Sequence, residues 1–177
     1  MNCVIVFAYE KLGNFDYYLD SKIDEIKKLI NTIGWKVLDT IVVKLRNIDP
    51  GFYITRGKVQ EIKSLPNISQ VEYLVFCNEL TPVQIRNLER ELGKKVVTKI
   101  DLILMIFKNH AISMESKLQV ELASLQVQLP RLYGVGKNME QIRGGIGLRG
   151  PGERKTEVMK RHIKEKIRTL KEKIQEI

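Results

Sequence analysis

The sequence predicts an α/β fold: a small parallel sheet flanked by helices, followed by a long antiparallel helical hairpin of coiled-coil character. Three observations lead there. Over the first hundred residues, short runs rich in β-branched residues alternate with helical periodicities. Several of those runs are apolar on both faces, as strands are when helices cover both sides of a parallel sheet. From Ile100 onward the apolar spacing becomes steps of four and three, and it returns after a glycine-rich stretch. We therefore place an α/β subdomain at 1–98 and a helical hairpin at 99–177, with its glycine-rich loop at about 131–153.

The strands are "CVIVFA" (3–8), "VLDTIVVKL" (37–45), "VEYLVFC" (71–77) and the short "KVV" (95–97). Between the first two, Phe15, Leu19, Ile23, Ile26, Ile30 and Ile33 form the apolar stripe of a helix that ends near Gly34. A short helix over 57–65 crosses from the second strand to the third. Thr81-Pro82-Val83-Gln84 is a capping box with proline at the first helical position; Ile85, Leu88 and Leu92 make the stripe, and Gly93 stops it. Right-handed crossovers would join these units. In the second part, Ile100, Leu104, Phe107, Ala111, Met114 and Leu118 form a heptad seam that resumes after a stutter at Leu122, Leu125, Leu129 and Leu132. Ile163, Ile167, Leu170, Ile174 and Ile177 form a second seam, and pairing the two would bury both. Pro130 disrupts the first helix near its end.

With 177 residues the chain is long enough for one ordinary core. Its net charge of +9 is uneven: residues 1–130 hold 17 basic and 15 acidic side chains, residues 131–177 hold 13 and 6. That asymmetry fits contact with nucleic acid or another anionic surface, and it equally fits a solvated, lysine-rich helix face. Cys3 and Cys77 each sit in a strand-like apolar run, so they read as buried thiols rather than a bridge or metal pair, in a reducing, cytoplasmic setting. The longest strongly apolar run, "LILMIF" at 102–107, is far short of the roughly 20 residues of a membrane span, and no secretory leader pattern opens the chain.

The stretch "GGIGLRGPGERKTE" (144–157) invites a phosphate-loop reading. Gly145, Gly147 and Gly150 have dinucleotide-fingerprint spacing, but "KNMEQIR" before them is no buried strand. Gly147 and Gly152 have P-loop spacing, yet Glu153 stands where lysine is needed, Arg154 where the metal-binding hydroxyl belongs, and Pro151 removes an N–H. Both nucleotide readings are rejected. His110 and His162 lie on different helices without further ligands at metal spacing, so no metal site is expected. Ser113, Ser116 and Ser124 fall inside a helix rather than on a nucleophile elbow, and Asp101 and Glu121 read as capping or salt-bridging carboxylates. No catalytic residue is assigned.

In "DPGFYITRGKVQEI" (49–62), Arg56, Gly57 and Lys58 open a short helix whose N–H groups could hold an anion; the same residues also fit an ordinary turn before a helix. Tyr133, beside the glycine loop, is placed either to stack on a base or to close the end of the hairpin.

"NELTPVQIRNLERELGKKVV" (78–97), "DLILMIF" (101–107), "ESKLQVELASLQVQLPRLYG" (115–134) and "RGGIGLRGPGERKTE" (143–157), with "PGFYITRGKVQEI" (50–62), together resemble the N-terminal domain of the HflX-type GTPases. The resemblance covers nearly all of the chain after about residue 45. This chain departs from the family's usual residues at Thr55, His110, Ser116, Leu148 and Arg154.

The resemblance implies a GTP-binding domain after the second long helix. The sequence has no Gly-x-x-x-x-Gly-Lys-Ser/Thr, Asp-x-x-Gly or Asn-Lys-x-Asp, so we expect a truncated or natural fragment that is not itself an enzyme, with GTP and Mg²⁺ held elsewhere and no cofactor here. The resemblance further implies association with the large ribosomal subunit in ribosome dissociation, rescue or biogenesis, with ribosomal RNA as partner of a monomer. Arg143, Arg149, Arg154, Lys155, Lys160 and Arg161 are the expected RNA-binding residues. Two other readings compete: a nucleotide-dependent RNA-remodelling domain in the α/β layer, and a coiled-coil adapter for a protein partner.

Overall fold

A computed structural model describes residues 1–10, 16–133 and 151–177, with the side chains of 1–10, 19–133 and 155–177. The elements are β1 (Asn2–Glu10), α1 (Asp16–Thr32), β2 (Lys36–Leu45), α2 (Arg56–Lys63), a 3₁₀ turn (Ile68–Gln70), β3 (Tyr73–Phe76), α3 (Pro82–Leu92), β4 (Lys95–Thr98), α4 (Lys99–His110), α5 (Met114–Arg131) and α6 (Pro151–Gln175). They form two compact units, Met1–Ile106 and Phe107–Ile177.

Unit 1 is a four-stranded, all-parallel sheet in the order β2-β1-β3-β4 flanked by helices, as the apolar runs predict. Strand side chains alternate between faces, and the two cores divide accordingly. Val4, Val6, Ala8, Leu74, Phe76 and Val96 meet α2 and α3 through Val59, Ile62, Ile85, Leu88 and Leu92. Cys3, Ile5, Val75 and Val97 meet α1 and α4 through Ile26, Ile30 and Leu102. Each fully buried aliphatic side chain contributes about 1.5–3 kcal/mol, so coverage on both faces is the main support of this unit.

The helix ends are built as their residue types dictate. Thr81 Oγ1 accepts the Gln84 N–H at 3.2 Å and Gln84 Oε1 accepts the Thr81 N–H at 2.9 Å, closing the capping box. Gly93 ends α3 in the left-handed region at φ +64°, where a Cβ would be strained. Asp101 caps the start of α4 by accepting both the Thr98 N–H (2.8 Å) and its hydroxyl (3.0 Å). Cys3 and Cys77 are free thiols, and burial pushes them up to about 11 and about 12.

β2 is an edge strand. After a bulge at Leu38 its register follows β1 from Val4↔Asp39 to Glu10↔Leu45, and only Val43 and Leu45 are buried.

Two corrections concern the helical part. The expected continuous seam from Ile100 to Leu132 is two helices, broken at Ala111–Ser113. Ser113 is not inside a helix: it is the cap of α5, its hydroxyl accepting the Ser116 N–H at 3.0 Å. A serine is worth more capping a new helix than continuing an old one, and the break leaves Ile112 89% exposed. The second correction is that α6 begins at Pro151, inside the expected 131–153 loop, since proline's fixed φ suits a first helical position. At the other end, Pro130 lies within α5, which stops one residue later.

In unit 2, α5 and α6 pack on one another. Ile163 and Leu170 are buried, Ile167 and Ile174 half-buried, and every seam leucine of α5 is only half-buried. None of the described helices is long and apolar enough to cross a membrane.

Candidate nucleic-acid interface

The apolar residues of α6 step by four and three, which fixes where its cations stand. With about 100° per residue, Lys160, Arg161, Lys164, Arg168 and Lys171 fall on one flank of the helix beside the Ile163–Ile174 seam. Over Lys160–Lys171 that stripe runs about 16 Å at 1.5 Å per residue. Between Lys160 and Lys171 the one acidic residue, Glu165, falls about 40° outside that flank.

Contacts with the end of α5 agree with this placement. The Tyr133 ring lies under Lys160 Nζ at 4.8 Å and Lys164 Nζ at 5.7 Å, and is itself 47% exposed. Cation–π contacts at such exposed positions contribute about 0.5–1 kcal/mol and hold the ammonium groups in place without neutralising them. Arg161, Lys164 and Lys171 meet no carboxylate among the described residues; Arg168 Nε has Glu172 Oε1 at 3.7 Å, a long and exposed pair. The stripe therefore keeps nearly all its positive charge in water.

The opposite flank of α6 behaves differently. Lys166 Nζ pairs with Glu121 Oε1 of α5 at 2.6 Å, confirming the salt-bridging role expected of Glu121. Lys155, eleven residues before Lys166, falls on that same side. So Lys155 and the Lys160–Arg161 pair, grouped by sequence, stand on different sides of the helix. Arg143 and Arg149 lie outside the described residues, as does the side chain of Arg154. Lys164, Arg168 and Lys171 were not singled out from sequence, although the same three-and-four spacing, read on charges instead of leucines, contains them.

Around the start of α2, Thr55 Oγ1 accepts the Lys58 N–H at 3.4 Å and Lys58 Nζ is paired with Glu61. Arg56 is exposed, with its guanidinium carbon 5.5 Å from the centre of the Phe52 ring. No group of three or more His, Cys, Asp or Glu side chains among the described residues could hold a metal ion. His110 and His162 are both exposed and far apart in sequence.

The family description "GTP-binding GTPase N-terminal" matches residues 20–108, and "GTP-binding GTPase Middle Region" matches 110–177. The chain belongs to the HflX family of GTPases. Among curated relatives, it is 42% identical to the GTPase HflX of Caldanaerobacter subterraneus subsp. tengcongensis over 158 residues, which is 89% of this chain and 37% of that protein. It is 33% identical to the GTPase HflX of Escherichia coli, over 88% of this chain and 36% of the relative. The chain thus spans little more than a third of these HflX proteins. A solved structure of a GTP-binding protein from Sulfolobus solfataricus with GDP superposes with a TM-score of 0.66 at 26% identity, covering 99% of this chain and 45% of that one. The boundary between the two HflX family regions, at 108–110, falls at the end of α4, close to the boundary between units 1 and 2.

Proposed function

We propose that this chain is an RNA-binding region of an HflX GTPase that docks on ribosomal RNA of the large subunit, in the cytoplasm and as a monomer. The observation that carries the reading is the stripe from Lys160 to Lys171: cations on one helix flank, an aromatic ring set among them, and little carboxylate to neutralise them. That is the chemistry of a surface meeting a phosphate backbone, where each neutralised phosphate releases counterions. Ribosome dissociation or rescue is the role this docking would serve.

Unit 2 supports the surface as an antiparallel hairpin. In favour, Glu121 of α5 meets Lys166 while Tyr133, just past the end of α5, meets Lys160 and Lys164, a pairing that fits helices running in opposite directions. Hydrolysis belongs to a GTP-binding domain outside this chain, which would hold GTP and Mg²⁺. In support, no lysine-bearing phosphate loop occurs in the sequence.

Cosedimentation with purified large and small ribosomal subunits tests the proposal. The chain should pellet with the large subunit and come off between about 50 and 200 mM salt. Equal pelleting with both subunits, or with neither, would sink it.

A further inference from the structure

The segment Asp49–Arg56 is held more tightly than a connection between β2 and α2 requires. Tyr53 sits at φ +68°, a left-handed conformation that costs a non-glycine residue free energy. Asp49 and Tyr53 exchange backbone hydrogen bonds in both directions (3.1 and 2.8 Å). Asp49 Oδ1 accepts the N–H groups of Gly51 (2.7 Å) and Phe52 (2.8 Å). From α3, Gln84 Nε2 donates to Asp49 O at 3.0 Å and Asn87 Nδ2 to Gly51 O at 2.9 Å. Asn78 Nδ2 donates to the Tyr53 hydroxyl at 3.2 Å, and Ile54 is fully buried beneath. A Cβ on Gly51 would stand 3.3 Å from Asp49 Oδ1, so the loop has no slack there.

What this rigidity presents is one pair of side chains. Phe52 is half-buried against the core, and the Arg56 guanidinium covers its ring at 5.5 Å. Arg56 is exposed and meets no carboxylate among the described residues, whereas its neighbour Lys58 is paired with Glu61. A guanidinium lying over an aromatic ring is a planar cation with unspent N–H donors. An unpaired nucleotide matches both, its base on the plane and its phosphate on the fork; a duplex, whose bases are already stacked, matches only the charge.

We propose that the Phe52–Arg56 pair in unit 1 is a stacking platform for an unpaired base of the bound RNA, separate from the α6 stripe in unit 2. The proposal rests on the RNA-binding reading given above.

The test uses the whole chain with two probes: a single-stranded RNA carrying 2-aminopurine, and an RNA duplex of the same length. Arg56→Lys keeps the charge and loses the plane; Phe52→Leu keeps the apolar contact and loses the ring. Each should weaken single-strand binding about five-fold or more, the lower end of what one base–aromatic stack contributes, and abolish the 2-aminopurine quench. Duplex affinity and its salt dependence should stay as in the wild type. Single-strand affinity and quench unchanged in both variants would overturn the platform alone. So would an equal loss on both probes, which would make Arg56 a simple phosphate contact. If the wild type binds neither RNA, the RNA-binding reading falls and the platform falls with it.

Discussion

In unit 1, Ile5, Leu74, Val75, Phe76, Leu88 and Leu102 have no exposed surface, whereas the best-covered hydrophobic side chains among the described residues of unit 2, Leu170 and Ile163, keep 5% and 6%, and no residue of α5 is buried. The contrast follows from architecture. A parallel sheet with helices on both faces encloses its central strands completely, while two helices packed on one another cover only the stripe they share. The second arrangement leaves most of each helix surface in water, and on α6 that surface carries the unneutralised cations. Deep burial and surface charge are thus assigned to different units of one chain.

The largest effect expected from breaking this contrast is in unit 1. Phe76→Ala should cost about 3–5 kcal/mol in urea unfolding, since a fully buried ring between two packed layers leaves a cavity that cannot collapse. Leu125→Ala on half-buried α5 should cost less than half as much. Equal losses would mean that unit 2 has a core as deep as unit 1.

Next in size, Ile163→Asp places a carboxylate on the α5–α6 seam and should cost roughly 3 kcal/mol. Helicity from unit 2 should fall while the thermal transition of the sheet persists. A single transition lowered as a whole would show that the two units fold as one.

How far these differences could be read in advance depended on whether the signal was local. The strands were legible because apolar runs such as "CVIVFA" are unlike anything a surface would carry, and α3 because Thr81, Gln84 and Gly93 spell out both of its ends. The break at Ala111–Ser113 was not legible, because Ala111 and Met114 continue the seam's spacing and only the structure shows Ser113 spending its hydroxyl on a new helix. The edge position of β2 depends on strand order, which no local pattern encodes. The left-handed Tyr53 closes a turn held from within by Asp49 and from α3 by Gln84 and Asn87, and that second, long-range hold is one no local pattern announces. The α6 stripe was legible in principle, yet its members were grouped by proximity in sequence, which mixed Lys155 from one flank with Lys160 and Arg161 from the other.

A smaller effect concerns acid. A hydrogen bond from Lys99 holds Glu25 below the ordinary carboxylate range, and hydrogen bonds from Gln60 and Lys63 do the same for Glu91. Both lie in unit 1 on exposed surface, so the effect is small. A carboxylate whose folded pKa is depressed contributes stability above its unfolded pKa, near about 4.3, and loses it as pH falls through the lower folded value. The Glu25→Gln, Glu91→Gln variant should therefore melt slightly below wild type at neutral pH and converge with it in acid. Curves that diverge on acidification would reverse the assigned sign.

The claim that unit 2 displays its cations to RNA phosphates is tested most directly by salt titration of large-subunit RNA binding, comparing wild type with an Arg161→Ala, Arg168→Ala, Lys171→Ala variant. These side chains are exposed and lie off the buried seam, so circular dichroism should not change. Each lost phosphate contact removes about 0.7–0.9 from the slope of log K against log salt, and the account predicts a slope flatter by about 2 to 3. A variant that binds with the wild-type affinity and slope would contradict it, leaving the stripe a solvated helix face.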